Sequence, residues 1–113
     1  MTDPKIQSTI DRLRDCHHSC RRRIRAASDL GAAHPDRRYI AMLTDVSELS
    51  GLAADLLDSE SPWADWMCEL TADACAELAE QCELRGERGC AERCRTTALA
   101  CATIAPNTLP PHH

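Results

Sequence analysis

Apolar positions along the chain recur every three or four residues in four successive blocks, the period of an amphipathic helix. In the first block Ile6, Ile10, Leu13, His17, Cys20, Ile24 and Ala27 share one face. Asp3-Pro4 supplies an acidic cap followed by proline at the first helical position, and Gly31 is a stop signal, so a helix is predicted over about 3–30. Pro35-Asp36 opens the second block, whose stripe reads Tyr39, Met42, Val46, Leu49, Ala53 and Leu56 over about 36–58. Ser61-Pro62 caps a third helix of about 62–85, Gly86 and Gly89 bracket a short turn, and a fourth helix runs over about 88–105 to Pro106-Asn107. No stretch alternates as a strand would. Four helices with short connections predict an all-α fold, an antiparallel up-down-up-down four-helix bundle. It would occupy residues 1–105 as a single domain, leaving 106–113 as an unstructured tail in which His112 and His113 carry no role.

Composition changes what that bundle must be filled with. Of 113 residues 43% are hydrophobic, but only 3% are aromatic and none is Phe, so the core must come from Leu, Ala, Ile, Val and the 8 cysteines. A net charge of −5 with so few aromatics leads us to expect no nucleic-acid partner. No run approaches the ~18 apolar residues of a membrane span, and MTDPKIQSTIDRLRD has no signal-peptide pattern, so a cytoplasmic protein is expected. In that compartment eight thiols argue for metal or redox chemistry over a disulfide framework. Neither a Ser-His-Asp arrangement nor a phosphate-cradling glycine loop is visible, and the carboxylates fall on polar faces. Binding is therefore expected rather than catalysis.

Helix geometry decides which thiols can cooperate. Residues four apart lie ~6 Å apart along the axis and can converge on one ion, whereas seven apart means ~10.5 Å. Cys16/Cys20 and Cys90/Cys94 are thus within-helix pairs, while Cys68, Cys75 and Cys82 form a seven-residue ladder that must look across to other helices. Thr71 and Leu78 fill the steps between them, and Thr97 continues the fourth-helix stripe. Counting from the Gly86–Gly89 turn, Cys82 falls level with Cys90 and Cys94, Cys75 with Cys101, and Cys68 lies deeper. Two sulfur clusters are expected, one of Cys82, Cys90 and Cys94 and one of Cys16, Cys20, Cys75 and Cys101. Buried Cys also serves as a small hydrophobe, but eight on converging faces exceed what packing asks for.

Thiolates are soft ligands, which selects Cu(I), Zn(II) or iron–sulfur clusters. Structural zinc and ferredoxin clusters favour C-x2-C pairs on loops, and this chain has none. Cu(I) accepts two or three thiolates on a rigid helix face, so Cu(I) is the expected cofactor, with an iron–sulfur cluster or zinc as the alternative. His17, on the stripe between Cys16 and Cys20, is a further candidate ligand. Met42 and Met67 read as packing. Arg12, Arg14, Arg21, Arg22, Arg23 and Arg25 make the first helix basic against an acidic 45–83. That face suits the acidic helices of its own bundle; an acidic partner or a homo-oligomer is the other reading.

These residues resemble the cysteine-rich four-helix-bundle copper-binding proteins, the copper storage family. Cys68-Glu69-Leu70-Thr71-Ala72-Asp73-Ala74-Cys75 is similar to that family's repeated C-x2-C-A-x2-C helix text, with Thr71 at a cysteine position and the pattern continuing through Leu78 to Cys82. Cys90, Cys94, Thr97 and Cys101 again place a threonine in the series, and Asp45 to Ser50 resembles D-C-A-x2-C with Val46 and Ser50 in the thiol positions. Ser61-Pro62 is similar to the family's start of the third helix. The similarity spans about residues 6 to 104. It implies a cytosolic bundle whose core thiols bind Cu(I) for storage or buffering and exchange it with a donor or acceptor protein. The departures are a thinned thiol set and a second helix without cysteine. A cluster-bearing redox protein, or a metal-free interaction module on the same bundle, are the readings from other classes.

Overall fold

The computed structural model describes residues 3–29 and 36–104. The expected stop at Gly31, the start at Pro35 and the tail from 106 with His112 and His113 lie outside the described residues. Four helices are present: α1 (Pro4–Asp29), α2 (Arg37–Asp58), α3 (Ala64–Leu84) and α4 (Arg88–Ile104). Their ends follow from local chemistry. Asp3 accepts from the Lys5 N–H at 2.8 Å, and Asp36 caps α2 by accepting from the Tyr39 N–H at 3.1 Å. Regular helix in α3 begins at Ala64, because Ser61 and Pro62 form a turn in which the Ser61 hydroxyl accepts from the Trp63 N–H at 3.1 Å. After α3, Gly86 takes φ 73° and lets the Glu87 N–H reach back to the Cys82 carbonyl at 2.8 Å.

Contacts across each seam set the helix directions. Arg14 meets Asp58 while His17 meets Ser47, so α1 and α2 run antiparallel. Tyr39 against Cys82 and Leu49 against Thr71 give the same answer for α2 and α3. Cys82 against Cys90 does so for the α3–α4 hairpin, as do Asp15 and Arg23 against Arg93 and Glu87 for α1 and α4. The bundle is the expected antiparallel one. Arg14 pairs with Asp55 and Asp58, and Arg23 with Glu87, so part of the basic α1 face is matched within its own bundle.

The core has two halves. Near the α3–α4 turn it holds Cys16, Cys20, Cys75, Cys82, Cys90 and Cys94 with Leu43, Val46 and Leu78. Toward the other end it holds Ile10, Leu13, Ala53, Ala54 and Leu57 with Cys68 and Cys101. Each fully buried Leu or Ile contributes about 1.5–3 kcal/mol. Of the expected α2 stripe Tyr39, Val46 and Ala53 are buried, but the buried face is turned from the rest of it. Leu43, Ser47, Ser50, Ala54 and Leu57 are buried, whereas Met42, Leu49 and Leu56 are half-buried. The small side chains of Ser47 and Gly51 allow this: the His17 ring sits where a Cβ at Gly51 would be only 3.1 Å from its Nδ1, drawing that face of α2 onto α1. Trp63 and Trp66 are 67% and 38% exposed and lie outside the core. Among the described residues, no helix is long and apolar enough to cross a membrane.

Candidate metal centre

The tight α3–α4 turn brings the last turn of α3 against the first turns of α4. Cys82 therefore faces Cys90 and Cys94, which sit one above the other because they are four residues apart. The three Sγ atoms lie within 4.8 Å of one another, and Cys82 and Cys90 are 2.9 Å apart. Cys90 is the most exposed of the three at 5%. Beside them the Tyr39 hydroxyl lies 3.4 Å from the Cys82 sulfur.

In the same half of the core Cys16 interacts electrostatically with Cys20, Cys75 and Cys94. Cys94 interacts in this way with Cys20, Cys82 and Cys90 as well, which links the two groups. Cys101 is not in this inner group; it pairs with Cys68. The two-cluster expectation placed Cys101 level with Cys75, and hairpin register explains the difference. From the facing pair Cys82/Cys90, seven residues down α3 reach Cys75 and seven along α4 reach Thr97. Cys101 is four further on, which carries it past the Cys75 level toward Cys68.

The structure holds His17 against α2. Its Nδ1 is 2.6 Å from the Ser47 carbonyl oxygen, the distance of an N–H donating to it, and Ser47 Oγ donates to the His17 carbonyl at 3.2 Å. His17 is a strut between α1 and α2 and joins no three-ligand group among the described residues. Met42 and Met67 are half-buried and pack against the two core halves.

All eight cysteines are buried and free. In each group one thiol is held below the ordinary range because neighbouring S–H groups favour its thiolate. Cys90 and then Cys94 do this for Cys82, Cys20 with Cys75 and Cys94 for Cys16, and Cys101 for Cys68. The partners move the other way. Cys90 is pushed up to about 11 chiefly by Cys82, and Cys20, Cys75 and Cys101 rise beside Cys16, Cys16 and Cys68 respectively. In each group one thiol is thus the easiest to deprotonate when a cation arrives, and the bound cation then lowers the remaining thiols in turn.

Sequence reasoning gave Tyr39 only a packing role. In the structure its hydroxyl meets the Cys82 sulfur while its ring packs under the Arg85 guanidinium, which lies 4.1 Å from the ring centroid. Arg85 is tied in place by Asp36 and by the Gln81 side chain at 2.8 Å, and it holds the Asp36 carboxyl below the usual range. The stack joins the start of α2 to the end of α3 beside the triad. Such a cation–π contact is worth about 1 kcal/mol. Arg85→Ala is therefore expected to speed labelling of the reduced apo-protein by a thiol reagent about fivefold, read as the fast phase of reagent colour. An unchanged rate would mean that reagents reach the sulfurs by another route.

A family profile described as copper storage protein matches residues 2–106. A solved structure of a Nitrosospira multiformis protein is similar at TM-score 0.84 and 25% identity, over 92% of this chain and 97% of that one. The apo form of copper storage protein 3 from Bacillus subtilis is similar in fold at TM-score 0.73 and 24% identity, over 88% of this chain and 97% of that one. No functionally curated protein is significantly similar in sequence.

Proposed function

The chain belongs to the copper storage protein family, and from that premise we propose that it binds Cu(I) through its core thiolates and buffers or stores it in the cytosol. The observation that carries the reading is the buried triad of Cys82, Cys90 and Cys94, three sulfurs within 4.8 Å of one another. Soft sulfur donors suit Cu(I), which is satisfied by two or three thiolates. Structural zinc takes four ligands in a closed tetrahedron and iron–sulfur clusters are commonly held by four cysteines, whereas among the described residues the group whose ligand atoms all lie within 4.8 Å of one another has three. We assign Cys82, Cys90 and Cys94 to the first group, Cys16, Cys20 and Cys75 with a share in Cys94 to the second, and Cys68 with Cys101 to a two-sulfur site. His17 is left out because it joins no group of three ligand atoms within 4.8 Å of one another among the described residues. Eight free thiols accord with a reducing compartment.

Cu(I) is cargo here, and the chain's task is to hold it dry and give it up to a competitor. Buried thiols resist ionisation in an apolar setting, so loading releases their protons. Anaerobic titration of the reduced apo-protein with Cu(I) against a competing chelator tests the reading. Several ions should bind tightly, with near-ultraviolet sulfur-to-copper charge transfer, no visible colour and proton release. Binding no tighter than to an unstructured thiol peptide would remove the copper assignment.

A further inference from the structure

Five serine and threonine side chains are buried among the described residues: Thr9, Ser47, Ser50, Thr71 and Thr97. Four of them have an acceptor. Thr9, Thr71 and Thr97 each donate to the carbonyl four residues back in their own helix, at 3.1, 2.6 and 2.8 Å. Ser47 donates across to the His17 carbonyl at 3.2 Å. Ser50 is the exception, at 0% exposed and with no hydrogen-bond partner for its Oγ. A serine on a helix has the carbonyl of the preceding turn within reach, so the proton is withheld from an available acceptor. Orphaned buried hydroxyls are rare and costly, and each calls for a reason.

The reason lies in what the hydroxyl faces. Ser50 precedes Gly51, which lies against the His17 ring, and follows Ser47, whose carbonyl is bonded to that ring. It therefore stands on α2 at the Cys16 level of α1, where its hydroxyl favours the Cys16 thiolate but forms no hydrogen bond in the empty bundle. We infer that Ser50 is a positioning residue for the inner thiol group, keeping its proton for the thiolate that Cys16 becomes when a metal ion enters. This rests on the copper reading above. When Cu(I) arrives, the Cys16 S–H proton leaves to solvent and a Cu–S bond forms. The serine O–H then turns onto the sulfur, whose remaining lone pairs accept it, and no electron changes hands. The same hydroxyl that weakens the empty bundle strengthens the loaded one. It is α2's contribution to a site whose ligands come from α1, α3 and α4.

This predicts effects of opposite sign from one substitution. The experiment compares wild type, Ser50→Ala and Thr71→Val by anaerobic thermal unfolding of the reduced apo-proteins and by Cu(I) competition titration. Ser50→Ala should raise the apo midpoint by about 4 °C, because an unpaired polar group is removed. It should also weaken the ions of the inner group about tenfold, because a hydrogen bond to a charged acceptor is lost. Thr71→Val removes a hydroxyl already bonded to its own helix; it should not raise the apo midpoint and should leave affinity unchanged. A lowered apo midpoint for Ser50→Ala overturns the inference, as does unchanged copper affinity in that variant while wild type binds. A wild type that fails to compete for Cu(I) overturns the copper reading and this role together, a result distinct from either.

Discussion

Cys94→Ser is expected to cost the protein more bound copper than any other single thiol substitution. The Cys94 sulfur lies within 4.8 Å of the Cys82 and Cys90 sulfurs and also interacts electrostatically with Cys16 and Cys20, so both larger proposed groups would draw on it. Serine keeps the size and hydrogen bonding of the side chain, but its oxygen is a hard donor that Cu(I) does not favour. Losing even a supporting group beside a metal site typically costs about 10–100-fold in affinity. Loss of a shared ligand should exceed that for at least one ion in each group. Cys101→Ser is the comparison, because Cys101 pairs with Cys68 at the far end and should remove only that site's share. Chelator competition with ion counting on the two variants is the measurement. Equal losses would mean that the sulfurs act as one continuous pool rather than as groups joined at Cys94.

Leu78→Ala is expected to bring the apo-protein to the edge of unfolding. Leu78 is 0% exposed and fills the layer between Cys75 and Cys82, packed with Leu43, Val46 and Tyr39. In a core without Phe, where much of the volume is sulfur, few side chains are large enough to close the gap. Such a truncation costs about 2–5 kcal/mol, against a total of about 5–15 for a domain of this size. The midpoint of reduced apo-protein should fall by about 10 °C or more, followed by circular dichroism. Copper should restore it, since ions bound between α1, α3 and α4 cross-link the helices only when folded. One ion at 1,000 times its dissociation constant adds about 4 kcal/mol. A variant that melts like wild type without copper would show that neighbouring side chains collapse into the space. One that copper does not rescue would show that the ions do not bridge helices.

The four helices and the bundle are legible in the chain because both are local statements. Caps such as Asp36, the glycine at the α3–α4 turn and a three-and-four spacing each act within one or two turns, and every cysteine was already on or beside a core-facing stripe. The triad of Cys82, Cys90 and Cys94 could also be counted out, since a tight turn leaves a hairpin little freedom of register. Cys101 shows how far that counting carries: one turn of error moved it from the Cys75 level to Cys68, eleven residues beyond Cys90.

What the chain could not specify locally was rotation and contact across seams that no short turn constrains. One residue turns a helix face by about 100°, so an apolar stripe defines the buried side of α2 only loosely. The close packing of Ser47 and Gly51 against His17 of α1 then turned Leu43, Ser50, Ala54 and Leu57 inward, leaving Met42, Leu49 and Leu56 half-buried. That rotation put Ser50 at the Cys16 level of α1 and bound His17 to the Ser47 carbonyl. It also fits a tertiary logic, because small side chains let helices approach while larger ones hold them apart. By itself the sequence determined that eight thiols would line the inside of a four-helix bundle. Only the tertiary structure decided which thiols stand together, because that depends on the offset and twist between helices far apart in the chain, and those are set by how whole faces pack.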